Sequence, residues 1–163
     1  MNKSEWVYAY EQLLESAFDL RLYDCRTLGG IERPISTKSD LHCQFTNGGI
    51  DVAVKNLTQL EKEEVDVLAF SVGGTIAWKA CLQGLKIKNL YAISATRLRH
   101  ESKKPSCNTR LYYGSLDNYV PAFEWFKQHC MTPTIFKNKY HELYTELDCI
   151  QRICGDINRN NEL

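Results

Sequence analysis

Apolar positions along the chain switch between helical and strand-like spacing. Trp6, Tyr10, Leu13, Leu14, Ala17 and Phe18 recur three or four residues apart, which predicts an amphipathic helix with Ser4 as its cap. Phe18–Cys25 (FDLRLYDC) reads as a strand leading to a Gly29-Gly30 turn. Ile31–Gly49 is polar, contains Pro34 and has few periodic residues, which predicts a loop. Asp51 is placed to cap a helix running through Glu61, with Ala53, Leu57 and Leu60 on its inner face. Val65–Phe70 (VDVLAF) is a nearly continuous apolar run, the pattern of a strand inside a parallel sheet. A helix follows from about Gly74 to Leu82 and is stopped by Gly84.

The second half keeps the same alternation. Ile87–Ser94 (IKNLYAIS) predicts a strand, and the basic stretch after it a solvated loop. Thr109–Gly114 (TRLYYG) predicts another strand, and Pro121 suits the first turn of a helix over AFEWFKQHC. Thr132–Asn138 reads as a short strand. Glu142–Ile157 closes the chain as a helix with Leu143, Leu147, Ile150 and Cys154 inward, and Asn158–Leu163 reads as a frayed tail. Strands alternating with helices predict an α/β fold: a three-layer sandwich around a mostly parallel sheet of about five strands, in one domain spanning 1–163.

Composition narrows the function classes. Lys plus Arg and Asp plus Glu both number 20, so the formal net charge is zero and no basic excess points to nucleic acid. No stretch reaches the roughly 18 apolar residues of a membrane span. The first residues lack a signal-peptide core. The seven cysteines, at 25, 43, 81, 107, 130, 149 and 154, form no CxxC pair, which predicts reduced thiols in a cytoplasmic protein and no zinc site. No metal or organic cofactor is expected.

The chemistry gathers at predicted strand ends, where sites form in open α/β sheets. Ser71 follows VDVLAF, Asp117 follows TRLYYG, and His141 follows TPTIFKN. Taken singly, Ser71 is equally a small residue at a tight turn, Asp117 a turn or cap residue, and His141 a surface residue. Together they supply a nucleophile, a base and an orienting carboxylate. The Val72 N–H, at the start of the helix, would donate to a developing oxyanion. Gly73 and Gly74 allow strand and helix to pack closely. Phe70 either lines an acyl pocket or is buried beneath the sheet.

These segments resemble the α/β-hydrolase superfamily over nearly the whole chain. Ala69-Phe70-Ser71-Val72-Gly73-Gly74 resembles the nucleophile elbow, with Ala69 where the motif has its first glycine. Tyr113–Pro121 resembles the acid segment, Tyr140-His141-Glu142 the histidine segment, and Asp24–Gly30 the loop after the fourth strand. The resemblance implies a small, lidless serine hydrolase with Ser71, Asp117 and His141 catalytic, and Val72, Phe70 and Gly73 around the oxyanion and substrate. It implies a small carboxylic ester or thioester as substrate. It also implies a departure, because the loop that supplies the family's second oxyanion donor would precede Met1. The expected sources of that donor are the Met1–Lys3 backbone, the Thr27–Gly30 turn or a partner chain. The family's strand between FDLRLYDC and VDVLAF is missing too, so these two are expected to pair directly.

Other residues carry weaker signals. His42 and His129 read as solvated. His100 lies in the basic stretch Arg97–Lys104; if that stretch faces the site, Arg97 and Arg99 would attract an acidic acyl group or a phosphate-bearing carrier. The tryptophans read as core or interface residues, and no pattern supports catalysis at Cys25. A second function class is a hydrolase-like fold that binds rather than catalyses. Sheet edges left by missing strands would favour pairing with another chain, a homodimer being the simplest form.

Overall fold

In the computed structural model, residues 4–31 and 37–161 are described; the Met1–Lys3 backbone and Pro34 lie outside them. Among the described residues, four parallel strands form the sheet: β1 (Val65–Phe70), β2 (Ile87–Ile93), β3 (Asn108–Gly114) and β4 (Thr134–Phe136), adjacent in chain order. Alternate side chains serve opposite faces. Ala69, Leu90, Ala92, Leu111 and Tyr113 enter one core, with α4 (Ile50–Leu60), α5 (Val72–Leu82) and α6 (Phe123–Gln128). Tyr91, Ile93, Tyr112 and Phe136 enter the other, beneath α1 (Glu5–Leu14) and α7 (Leu147–Asn161). Covering both faces explains why the strands read as continuous apolar runs. The three layers and the parallel sheet match the sequence reading, with four strands in place of about five.

The missing fifth is FDLRLYDC. Residues 18–24 form no strand and do not pair with β1, which is a sheet edge among the described residues. The segment is tied elsewhere by its side chains. Arg21 Nη1 and Tyr23 Oη both donate to the buried Glu61 carboxylate at the end of α4, at 3.0 and 2.5 Å. Asp24 then caps the short helix α2 (Cys25–Leu28), accepting from the Arg26 and Thr27 amides. Leu20, Leu22 and Tyr23 stay partly exposed, so the apolar positions that suggested a strand do not mark a buried one.

Four other expectations change. The predicted loop before Gly49 contains α3 (Lys38–Gln44), capped by Thr37, whose Oγ1 accepts from the Asp40 amide. It continues through a π turn over Phe45–Gly49 into α4, so Asp51 lies inside a helix and is not its cap. No residue of α3 is buried, which is why no apolar rhythm marks it. Ser4 takes the N-cap position of α1 without a side-chain capping bond. The tail is helical through Asn161, because Asn160 donates to Tyr91 Oη at 2.8 Å and accepts from Arg110. Among the described residues, no helix is long and apolar enough to cross a membrane.

α5 is the central helix and sits tightly on β2. A methyl group on Gly74 would lie 2.5 Å from the Ala95 Cβ and 3.3 Å from that of Ala92. Gly74→Ala should therefore destabilise the protein by about 1–3 kcal/mol, read as a lower urea midpoint. An unchanged midpoint would show that α5 can shift away from the sheet.

Candidate active site

The end of β1 delivers the chain into a sharp turn at Ser71, with φ +50° and ψ −122°. A non-glycine residue in this region costs about 1–3 kcal/mol and persists only where its surroundings impose it. Here they do. The Ser71 amide donates to Ile93 O at 3.0 Å, and Ser71 O accepts from the amides of Thr96 and Gly74 at 3.2 and 3.1 Å. The turn aims the Ser71 side chain out of the sheet and starts α5 at Val72. As the first residue of the helix, Val72 has no acceptor one turn back, so its N–H is available at the mouth of the site. Gly73 lets the segment around Cys25 approach: a methyl group there would lie 3.3 Å from Cys25 Sγ.

Asp117 and His141 arrive on two loops that are sewn together. The Ser115 amide donates to Phe136 O, the Leu116 amide to Lys139 O and the Asn138 amide to Ser115 Oγ, each at 2.9 Å. His141 opens a 3-10 turn over His141–Thr145, which the fully buried Leu143 pins to the core. The result is one line of hydrogen bonds. Ser71 Oγ lies 3.0 Å from His141 Nε2, and His141 Nδ1 lies 3.0 Å from Asp117 Oδ2. With Nδ1–H donating to the carboxylate, Nε2 is left to accept from the serine hydroxyl. The Asp117 side chain is wholly shielded from solvent, and its other oxygen accepts from the Tyr119 amide at 2.8 Å. The Tyr119 ring packs edge-on against the imidazole with centroids 4.9 Å apart, and Tyr144 flanks it at 6.1 Å.

Ser71 opens onto a cleft of about 1110 Å³ that runs along β1. Its walls near the serine are aromatic, with Phe70 packed on Trp6, Tyr10 and Tyr144 at centroid distances of 5.0, 4.9 and 5.5 Å. Phe70 and Gly73 thus both border the cleft. Burial pushes the Cys25 thiol up to about 11, with the charge of Asp24 adding to it, so Cys25 stays a neutral thiol at neutral pH. The amides of the Thr27–Gly30 turn all donate locally: Thr27 to Asp24 Oδ1, Leu28 to Asp24 O, Gly29 to Cys25 O and Gly30 to Thr27 O. Among the described residues, no group of three or more His, Cys, Asp or Glu side chains could hold a metal ion.

Sequence reasoning missed two ring neighbours, Tyr119 and Tyr144. Both lie close in sequence to a predicted site residue, Tyr119 two after Asp117 and Tyr144 three after His141, and that proximity was the available signal. It also misplaced His129. This residue is buried, stacks on Trp125 at 4.2 Å and engages Trp125 O through Nδ1 at 2.8 Å. Trp78 is fully buried and Trp125 nearly so, as a core reading requires, whereas His42 and His100 are exposed.

No protein-family model matches the chain, and neither does any curated protein. Solved structures do. A Xanthomonas campestris pv. campestris protein assigned to the hydrolases of the alpha/beta superfamily is similar with a TM-score of 0.67 at 16% identity, over 94% of this chain and 89% of its own. The fold is that of the α/β-hydrolases. A predicted CIB-like hydrolase from Thermoplasma acidophilum shares it, with a TM-score of 0.60 at 19% identity, over 82% of this chain and 69% of its own. So does an alpha-beta serine hydrolase homologue from Coxiella burnetii, with a TM-score of 0.58 at 14% identity, over 93% and 76%. In this fold Ser71 lies at the turn that joins β1 to α5.

The elbow's strain can be measured apart from its chemistry. Ser71→Gly and Ser71→Ala both remove the bond to His141, but only glycine relaxes at φ +50°. Ser71→Gly should exceed Ser71→Ala in unfolding free energy by about 1 kcal/mol in equilibrium denaturation. Equal stabilities would mean that the turn is not strained.

Proposed function

We propose that the chain is a serine hydrolase of small carboxylic esters or thioesters. The observation that carries this reading is the unbroken line from Ser71 Oγ through His141 to the shielded Asp117 carboxylate, starting on a strained elbow. A serine hydroxyl is a weak nucleophile until a base removes its proton. His141 Nε2 takes that proton as Oγ attacks the substrate carbonyl, and Asp117 holds the ring and offsets the charge of the imidazolium. The Val72 N–H donates to the oxyanion. His141 then protonates the departing alcohol or thiol, leaving an acyl group on Ser71. Water, deprotonated by His141, releases the acid and restores the serine.

The acyl part lies in the aromatic cleft beside Phe70, which Gly73 also borders. All seven cysteines are free thiols, which fits a reducing cytoplasmic setting. Aryl esters and acyl thioesters of increasing acyl length test the reading. Ser71→Ala and His141→Ala should each lower kcat by roughly a hundred-thousandfold or more, and Asp117→Asn by roughly a thousandfold or more. Turnover in Ser71→Ala close to that of the wild type would contradict it.

One observation favours a second reading, a hydrolase-like binding module. Among the described residues β1 is an unpaired edge, and strand alternation turns the N–H groups of Leu68 and Phe70 away from β2, toward the cleft, since that of Ser71 points to β2. In the hydrolase reading both amides exchange with solvent much faster than those of Leu90 and Ala92 in the sheet interior. Protection of Leu68 and Phe70 that disappears on dilution would instead mark a chain paired along β1, a homodimer included.

A further inference from the structure

The loop after β2 is hydrogen-bonded to Ser71, yet the hydrolytic scheme uses none of its side chains. Its backbone begins on the serine: the Thr96 amide donates to Ser71 O at 3.2 Å. Arg97 follows with φ +66°, a left-handed conformation for a side-chain-bearing residue. The conformation is imposed from both sides. Thr75 Oγ1 donates to Thr96 O, the His100 amide donates to Arg97 O at 2.9 Å, and Leu98 is fully buried. Further along, two indoles clamp the loop: Trp125 Nε1 donates to Glu101 O at 2.9 Å and Trp78 Nε1 to Lys103 O at 3.0 Å. Lys79 adds an ion pair to Glu101 at 3.3 Å.

A loop built so firmly fixes where its charges stand. Arg99 is exposed, and its guanidinium lies over the Tyr119 ring, with Cζ 5.9 Å from the centroid. Tyr119 is itself fixed, its amide held by Asp117 and its ring against His141. Arg99, Tyr119 and the imidazole therefore form a row, with the cation one aromatic ring away from His141. Neither Arg97 nor Arg99 is ion-paired to a carboxylate among the described residues, so the positive charge is uncompensated. Its local field is felt at His100, whose imidazole is held below its usual range by partial burial first and then by Arg99 and Arg97. The chain as a whole is neutral, so this is a local feature.

Position decides which part of a substrate meets that charge. The acyl part fills the cleft on the Phe70 side of Ser71. The leaving group departs past the residue that protonates it, His141, and the next surfaces there are Tyr119 and Arg99. We propose that Arg99 and Tyr119 form a leaving-group subsite for an oxyanion, a carboxylate or a phosphate, carried about one ring's width from the scissile oxygen. The preferred substrates are then small acyl esters of anionic alcohols or phenols. The guanidinium recognises the anion bidentately, and the Tyr119 face covers the apolar spacer. This inference rests on the hydrolase reading and specifies its substrate class.

Three matched acetates test it: 4-acetoxybenzoate, 4-acetoxyphenyl phosphate and the neutral 4-acetoxybenzamide. The wild-type chain should favour an anionic acetate over the amide by roughly tenfold in kcat/KM, mainly through KM, with the preference fading as salt rises. Comparing the two anionic acetates tells carboxylate from phosphate. Arg99→Gln should bring the ratio close to one, and Arg99→Lys should keep most of it. A ratio near one in the wild type, or one unchanged in Arg99→Gln, overturns the subsite while turnover of the amide leaves the hydrolase reading standing. Failure to turn over any of the three overturns the hydrolase reading instead. Calorimetric titration with 4-hydroxybenzoate then decides the subsite alone: binding lost in Arg99→Gln supports it, and no binding to the wild type removes it.

Discussion

The peptide turn at Ser71 is the constraint from which the rest of the site follows. Its φ of +50° is paid for by the sheet and the loop beside it: Ile93 O takes the serine amide, and Thr96 gives its own amide to the serine carbonyl. Those bonds exist because β2 runs parallel beside β1 and ends at the same level. The turn thus depends on sheet register. In return it does two things at once: it lifts the hydroxyl clear of the strand and starts a helix whose first free amide stands next to that hydroxyl.

The other two groups are positioned by a different device. β3 and β4 are joined beyond their ends by a web of backbone bonds among Gly114–Asp117 and Phe136–Lys139. Gly114 matters here, because a side chain at that position would collide with the Lys139 backbone. The web fixes Asp117 relative to His141, and Leu143 anchors the histidine turn in the opposite core. Polar geometry at the surface is therefore held by apolar packing beneath it. Shielding of the Asp117 carboxylate strengthens its hold on the ring, since little water competes for it.

How much of this was legible in the sequence depends on how each residue is held. β1, β2 and β3 were readable because both faces are covered, which leaves few polar positions in each run. Ser71, Asp117 and His141 were readable from their places after three strands and their order. FDLRLYDC was misread because its apolar residues look like those of a strand, while the bonds that decide its course, from Arg21 and Tyr23 to Glu61, join residues about forty apart in the chain. α3 was missed because it buries nothing and depends on its Thr37 cap. His129 was misplaced for the opposite reason: it is buried, and its local stack on Trp125, one helical turn back, carries it into the core beside Trp78. The segment tied to Glu61 leaves the cleft open along β1.

In the proposed mechanism the Ser71 hydroxyl is activated by His141 and reacts as a nucleophile. Intact-mass and peptide mass spectrometry after treatment with a fluorophosphonate measure this directly, because the reagent needs an activated serine but no substrate specificity. The account predicts one adduct per chain, located on Ser71, formed slowly or not at all in His141→Ala. Folded wild-type protein that takes up no adduct, or takes it up equally well without His141, would contradict it.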